Sequence, residues 1–170
     1  MIPTNILVPT DFSPCAECAL DYACALASKL GAKVHVVHAT GAALPELSVT
    51  LTDQMIASLR DSSAAALATL VEPWRTVACF GEVCVVEGDP CDAIIQTVGA
   101  VQADLIVIGT HGRRGLSRLF HASLWEDIQR RAPCPVLPIR WDEHAGHSLR
   151  MPRHDDATSY TPGPSARTGT

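Results

Sequence analysis

One short apolar run, Asp104-Leu-Ile-Val-Ile-Gly109, leads directly into a loop rich in glycine and arginine, Thr110-His-Gly-Arg-Arg-Gly-Leu-Ser-Arg-Leu-Phe-His-Ala-Ser123. An apolar run of this length with little polar alternation predicts a buried strand of a parallel sheet. Glycine lets backbone N–H groups approach an anion closely, and the N-terminus of the following helix attracts negative charge. The junction therefore predicts a phosphate site, although the same residues suit a tight turn with solvated arginines equally well.

Two common phosphate motifs do not occur in this sequence. The loop has no Gly-Lys-Ser or Gly-Lys-Thr ending, which a Walker A loop would require. No G-x-G-x-x-G follows the first predicted strand, Asn5–Pro9, so the dinucleotide fingerprint is absent as well. A phosphate site at this loop would therefore belong to another class.

Strand-like and helix-like stretches alternate from Asn5 to Arg140. The predicted strands are Asn5–Pro9, Lys33–Ala39, Glu82–Glu87, Leu105–Ile108 and Val136–Arg140, and the predicted amphipathic helices cover 16–30, 55–70, 90–101 and 116–128. This alternation predicts an α/β fold, with a parallel sheet covered by helices on both faces. Asp11 and the 109–123 loop follow strands one and four. Both are predicted at the carboxyl edge of the sheet, where such folds bind their ligands.

The composition excludes several classes of protein. The chain has 170 residues, of which 47% are hydrophobic and 18% charged, and its formal net charge is −5. A negative chain is not expected to bind nucleic acid or anionic membranes in general, and an anionic ligand would need local help from Arg113, Arg114 and Arg118. No apolar run is long enough for a transmembrane helix, and the first residues lack the basic segment of a signal peptide, so we expect a cytoplasmic protein.

The apolar pattern covers only part of the chain. We predict one domain over residues 1–141 and a flexible polar tail over 142–170, because the tail has little apolar content and no periodicity.

The seven cysteines are too scattered to predict a disulfide framework or a zinc site. Cys15 and Cys18 form a C-x-x-C at a predicted helix start, where the pKa of a thiol falls. Two interpretations remain open for this pair: a thiol redox sensor, or small buried residues on the face of the helix that packs against the sheet. No second cysteine or histidine pair at ligand spacing accompanies it, so no metal ligand is predicted.

Four landmarks together identify a resemblance. They are Ile6-Leu-Val-Pro-Thr-Asp-Phe-Ser13, Val36-Val-His-Ala39, Leu105-Ile-Val-Ile-Gly-Thr-His-Gly-Arg-Arg-Gly-Leu-Ser-Arg-Leu119 and Ala132-Pro-Cys-Pro-Val-Leu-Pro-Ile-Arg140. In this order and spacing, the chain resembles the universal stress protein family, in its single-domain UspA type. The resemblance spans residues 2–140 and is nearer to the branch of the family that binds ATP.

The resemblance carries expectations about fold, function and partners. It implies a five-stranded parallel sheet of order 3-2-1-4-5, Rossmann-like and similar to the adenine nucleotide alpha hydrolase fold. It also implies a role in the stress response, homodimers joined through the strand at 134–140, and ATP as the ligand, which would usually bring Mg²⁺ with it. Nothing in the sequence is arranged for hydrolysis, so no catalytic residue is predicted and turnover would be at most that of a weak ATPase.

The same resemblance implies a set of nucleotide-binding residues. The ATP-binding branch carries G-x2-G-x9-G-[S/T], which Gly109, Gly112 and Ser123 match in this chain. The backbone near the two glycines would wrap the ribose and phosphates, Asp11 would lie against the adenine or ribose, and Ala39 would contact the adenine. The full predicted set is Pro9, Thr10, Asp11, Ala39, Gly109, Thr110, His111, Gly112, Arg114, Gly115, Ala122, Ser123 and Leu124.

Two residues depart from the family pattern. Ala122 stands at the third glycine of the motif, where a Cβ takes up room beside a phosphate and predicts weakened binding. Pro138 lies inside strand five, where it would remove one donor from the strand's hydrogen bonds and suits only an edge strand. These departures keep an alternative open, namely a nucleotide-free dimeric interaction module of the same family.

Overall fold

The computed structural model describes residues 2–41, 53–111 and 122–141. Strands and helices alternate along these residues as the sequence predicts. The strands are β1 (Asn5–Pro9), β2 (Lys33–Gly41), β3 (Cys79–Gly88), β4 (Leu105–His111) and β5 (Val136–Trp141), and the helices are α1 (Pro14–Leu30), α2 (Asp53–Val71), α3 (Pro90–Val101) and α4 (Ala122–Arg131), with a 3-10 turn at Glu72–Trp74.

All five strands lie in one parallel sheet of order β3-β2-β1-β4-β5. The predicted α/β class and strand order are therefore confirmed. The chain runs outward from the central β1 to β3 and then returns to add β4 on the other side. The strand order reverses between β1 and β4, and their carboxyl ends form the edge at which ligands bind in this kind of sheet.

Side chains alternate between two separate cores, one on each face of the sheet. On the first face, Ile6, Val8, Val34 and Val36 pack with α1 and α2. On the second face, Leu7, Val37, Ile106 and Ile108 pack with α3 and α4. Each fully buried aliphatic side chain contributes about 1.5–3 kcal/mol. The two cores therefore hold the strand ends, and what lies at them, in fixed positions.

The helix ends near the carboxyl edge are capped by side chains. Ser13 accepts a hydrogen bond from the Ala16 N–H at the start of α1. Asp89 accepts hydrogen bonds from the N–H groups of Cys91 and Asp92 at the start of α3, and Pro90 occupies its first turn. Such caps typically contribute about 1 kcal/mol each. They determine where α1 and α3 begin beside the edge.

The structure moves several predicted element boundaries, among them those of β3 and β4. β3 begins at Cys79 rather than Glu82, because its first residues pair with β2 from Lys33 onward. Those residues include Gly81, which gives no hydrophobic signal. β4 continues beyond Ile108 to His111, paired with β5. The predicted helical residues 116–121 and the predicted tail 142–170 lie outside the described residues.

β5 is an edge strand, as Pro138 requires, and the register shows on which side of the strand the donor is missing. The Ile106 N–H donates to the Pro135 carbonyl at 3.0 Å, in a register that places Ile106 beside Val136. In this parallel pattern the peptide groups of Leu137 and Ile139 point toward β4, and those of Val136 and Pro138 point away from it. The N–H that Pro138 lacks would therefore face the open edge and not β4.

Candidate functional site

A narrow cleft lies at the carboxyl edge of β1 and β2, closed on one side by α3 and α4. About 10 Å³ within it is accessible to the centre of a water molecule, and the surrounding empty space of about 270 Å³ includes open solvent. Its lining combines the ends of two strands, the first loop and two helices, and consists of Pro9, Thr10, Asp11, Val37, Ala39, Pro90, Ile94 and Leu124. The surface is mainly hydrocarbon, with Asp11 as its one charged side chain.

The strand pattern explains why these residues meet. Val37 and Ala39 lie two residues apart on β2, so their side chains project from the same face of the sheet, the face covered by α3 and α4. Ile94 projects from the first turns of α3, where it is almost completely buried. Leu124 approaches from α4 and is also buried. The cleft therefore continues the second core beyond the carboxyl ends of the strands.

Asp11 is held in place by its neighbour Ser13. The Ser13 N–H donates to Asp11 Oδ1 at 3.0 Å, and the Ser13 hydroxyl donates to the same oxygen. The Ser13 oxygen also caps α1, so the carboxylate is tied to the start of that helix. Among the described residues, both of these bonds fall on Oδ1. The second carboxylate oxygen remains able to accept a hydrogen bond from a ligand.

The loop that carries Asp11 continues the hydrogen-bond pattern of the sheet. The Thr10 N–H donates to the Val37 carbonyl at 2.9 Å, and the Phe12 N–H donates to the Thr10 hydroxyl at 3.1 Å. Thr10 is almost fully buried. The backbone is therefore held by hydrogen bonds at the residue before Asp11 and at the residue after it.

Gly109 has a packing role that the sequence does not suggest. A Cβ at this position would lie 2.2 Å from the Cys15 carbonyl oxygen and 2.9 Å from the Ala16 nitrogen. β4 therefore passes directly against the first turn of α1, and only glycine fits there. The resemblance implies that backbone at Gly109 wraps a nucleotide, but the contact that requires a glycine here is made by α1.

The structure brings together five of the residues predicted for the site and separates others from them. Pro9, Thr10, Asp11, Ala39 and Leu124 line the cleft. Gly109 and Thr110 are on β4 outside that lining, and the Thr110 hydroxyl donates to the Ile139 carbonyl at 3.4 Å.

The remaining predicted residues fall on the undescribed part of the chain. Gly112, Arg114 and Gly115 lie outside the described residues, as do the side chains of His111, Ala122 and Ser123. The phosphate-binding part of the prediction therefore stays a prediction.

Three lining residues, Val37, Pro90 and Ile94, are missing from the sequence-based set. Pro90 and Ile94 follow β3, whose carboxyl end lies at the same edge of the sheet as those of β1 and β2. The sequence signal was available, because Gly88-Asp-Pro90 predicts a turn into a helix directly after a strand. Val37 carries no separate signal, since its hydrophobicity is explained by the core.

The cysteine pair at the start of α1 behaves as core. Cys15 and Cys18 are both buried, and none of the seven cysteines, all of which lie in the described residues, forms a disulfide. Burial, with the nearby charge of Asp11, raises the pKa of Cys15 to about 11, so the expected lowering at the helix start is wrong. Burial likewise raises the pKa of Cys24 to about 12. Little thiolate is present at neutral pH, which favours the packing interpretation.

Within residues 2–41, 53–111 and 122–141, no three His, Cys, Asp or Glu side chains come close enough together to hold a metal ion. None of the described helices has the length and hydropathy of a membrane-spanning segment.

The order of the sheet and the cleft at its carboxyl edge define the class of protein, and comparison with known proteins gives the family. The model of the universal stress protein family matches residues 3–140. A universal stress protein of Methanocaldococcus jannaschii is 29% identical over 141 residues, which cover 80% of this chain and 81% of the relative. The chain belongs to the universal stress protein family.

Solved structures agree with this assignment. A protein of the universal stress protein family from Burkholderia pseudomallei superposes with a TM-score of 0.63 at 25% identity, covering 80% of this chain and 95% of the other. The universal stress protein from Archaeoglobus fulgidus, in complex with dAMP, superposes with a TM-score of 0.55 at 30% identity, covering 82% and 99%.

Proposed function

We propose that this universal stress protein is an adenine-nucleotide-binding regulatory module of the stress response, holding ATP with Mg²⁺ with little or no turnover. The observation that carries the proposal is the apolar cleft at the carboxyl edge of β1 and β2, bordered by the carboxylate of Asp11. Supporting it, the similar universal stress protein from Archaeoglobus fulgidus was solved in complex with dAMP.

The lining fits the chemistry of a purine nucleoside. Hydrocarbon of Val37, Ile94 and Leu124, which are buried in this structure, lies at the base of the cleft, and a planar base would pack above it. The second oxygen of Asp11 can accept from an exocyclic amino group or a ribose hydroxyl, both of which are donors. Because Ser13 already fixes this carboxylate, little conformational freedom would be lost on binding.

The phosphates would be held by the glycine-rich loop. The family resemblance assigns this role to the backbone around Gly112 and to Ser123, with Arg114 and Gly115 in the same loop. Ala122 in place of the third glycine is expected to weaken the binding of a triphosphate without abolishing it. With no residue assigned to activate water, the nucleotide would act by occupancy and not by fast hydrolysis.

Calorimetric titration with ATP and with AMP tests this proposal, using Ala39→Leu as the blocking variant. A leucine at Ala39 would fill the cleft from its β2 wall. Thr40→Leu is the matched control, since Thr40 is the next residue on β2, equally half-buried, and its side chain projects from the opposite face. We expect the wild type to bind, Ala39→Leu to bind at least about tenfold more weakly, and Thr40→Leu to stay within about threefold.

Two results would contradict the proposal. Equal effects of the two leucines would place the ligand elsewhere. Failure of the wild type to bind either nucleotide would favour the nucleotide-free interaction module instead. Tighter binding of ATP than of AMP would support the role of the loop in holding the outer phosphates.

We also propose that two chains pair through the strand at 134–140, which contains β5. This strand is at an edge of the sheet, and the carbonyls of Val136, Pro138 and Arg140 face outward, together with the N–H groups of Val136 and Arg140. An antiparallel partner strand can use these groups. If the two Pro138 residues of a dimer faced each other, neither could donate to the other, and both hydrogen bonds of that pair would be lost. The two-fold axis of the dimer is therefore expected to pass beside a neighbouring residue.

The cytoplasm is the compartment that we propose. An odd number of cysteines, four of them buried, is typical of a reducing environment.

A further inference from the structure

One of the buried histidines, His38, contacts the residues on both sides of Asp11. His38 Nδ1 lies 2.8 Å from the Thr10 carbonyl oxygen. The His38 ring also packs on the Phe12 ring, with centroids 4.4 Å apart and planes inclined by 45°. His38 is 8% exposed. β2 thus holds the loop that presents Asp11 through one hydrogen bond and one ring contact.

His38 makes these contacts from the face of the sheet opposite the cleft. Side chains alternate along β2, and Val34 and Val36 pack in the core formed with α1 and α2. His38 continues that series, and Val37 and Ala39 project to the cleft. A ligand in the cleft is therefore separated from His38 by the backbone of the sheet, and His38 can influence it only through the loop.

The loop needs such support because its backbone is in an unfavourable conformation. Phe12 has φ of 59°, in the left-handed region that bulky side chains rarely adopt. A conformation of this kind is energetically unfavourable and persists only where surrounding contacts maintain it. The contacts at Phe12 include the hydrogen bond from its N–H to the Thr10 hydroxyl, the His38 ring and packing against the first core.

We propose that His38 is a positioning residue for nucleotide binding, which fixes the Thr10–Phe12 turn so that the Asp11 carboxylate faces the cleft. The effect of His38 on nucleotide binding rests on the proposed function. The effect of His38 on the conformation of the loop does not depend on any ligand. Nδ1 must carry a proton here, because the Thr10 carbonyl can only accept a hydrogen bond.

Two substitutions separate the hydrogen bond from simple packing. Asparagine places its amide nitrogen on Cγ, as histidine places Nδ1, so His38→Asn keeps a donor toward Thr10. His38→Leu keeps apolar volume and removes the donor. Val36→Ala is the matched control, since Val36 is fully buried on the same strand and face and its side chain cannot donate a hydrogen bond to Thr10.

The test combines amide hydrogen exchange without ligand and calorimetric titration with AMP. In His38→Leu we expect the amides of Phe12 and Ser13 to exchange at least about tenfold faster and AMP to bind at least about tenfold more weakly. His38→Asn is expected to restore both to within about threefold of the wild type. Val36→Ala should lower the melting temperature and leave both unchanged.

Unchanged exchange of Phe12 and Ser13 in His38→Leu would overturn the proposal. So would a His38→Asn variant as impaired as His38→Leu, or a Val36→Ala variant with equally fast exchange in the loop. If the wild type binds no AMP, the proposed function fails, and the exchange measurements still decide whether His38 fixes the turn.

Discussion

Gly109 and Gly81 are both positions where a side chain cannot be added, but different neighbours prevent it. At Gly109 a Cβ would meet the backbone of Cys15 and Ala16, which is fixed in the first turn of α1. At Gly81 it would lie 2.2 Å from Cε1 of the His35 ring. The first contact joins β4 to the helix that follows the Asp11 loop, and the second makes room for a buried histidine between β2 and β3.

Gly109→Ala should therefore destabilise the fold even with no nucleotide present. Backbone must move to admit the methyl group, at an expected cost of about 1–3 kcal/mol or more in the free energy of unfolding. Gly99→Ala is the control, because nothing lies within 4 Å of a Cβ there and its position in α3 favours alanine by up to about 1 kcal/mol. Urea denaturation measures both. Equal stability of the two variants would contradict the close approach of β4 and α1.

His35 makes stability depend on pH. Its Nδ1 accepts from the Glu82 N–H at 2.9 Å, and Nε2 lies 3.3 Å from Asn5 Oδ1. Burial, with the nearby charge of Lys33, lowers the pKa of His35 below its ordinary 6.5, against a smaller opposing effect of Glu82. The unfolded chain then takes up the proton more readily than the folded one. The contribution of neutral His35 to the stability of the fold is complete above about pH 6.5, and it is lost as the pH falls toward the pKa of His35 in the folded protein.

His35→Leu tests this titration. At about pH 7.5 the variant should be less stable by roughly 1 kcal/mol or more, because the Glu82 N–H loses its acceptor. Below about pH 6.5 the wild type also loses stability, so the gap between the two proteins should narrow. Urea denaturation at several pH values measures it. A gap that stays constant from about pH 7.5 to 5 would show that His35 does not titrate in this range.

At the scale of elements, β5 combines a complete set of bonds to β4 with an outer edge that lacks one donor. Pro138 is the cause, because its nitrogen faces away from β4. Proline at an edge commonly limits pairing with further strands. β5 is thus suited to a pairing that tolerates one missing donor in each chain.

Pro138→Val should strengthen the proposed dimer. Each chain would gain an outward N–H, and a hydrogen bond contributes about 0.5–1.5 kcal/mol. The dissociation constant measured by sedimentation equilibrium should fall by about tenfold or more. The stability of the monomer should change little, since no bond to β4 is affected. An unchanged or higher dissociation constant would show that the chains do not pair along this edge.

How far the sequence predicts these elements depends on what produces each signal. β1, β2 and β4 are buried on both faces, so their hydrophobic runs and the helices between them predict the parallel sheet. The sequence does not predict the first residues of β3 as strand, because Gly81 adds no hydrophobicity. A glycine is required there because any side chain would collide with the ring of His35. The role of Gly109 was missed for a similar reason, since its partner is the backbone of α1, far away in sequence.

At the scale of the molecule, the fold brings the cleft together from four elements. β1, β2, α3 and α4 contribute to its lining, and α1 holds Asp11 through Ser13. Strand ends predict which residues reach the carboxyl edge, as for Pro9, Asp11 and Ala39. They do not predict the contribution of α3, because that depends on where its first turn lies against the sheet.

Amide chemical-shift mapping with AMP locates the bound ligand on the protein. On addition of AMP to labelled protein, we expect the largest changes at Thr10, Asp11, Ala39, Ile94 and Leu124, which line the cleft. The amides of α2, on the opposite face of the sheet, should change little. Changes concentrated away from the cleft, or none at millimolar AMP, would contradict the account.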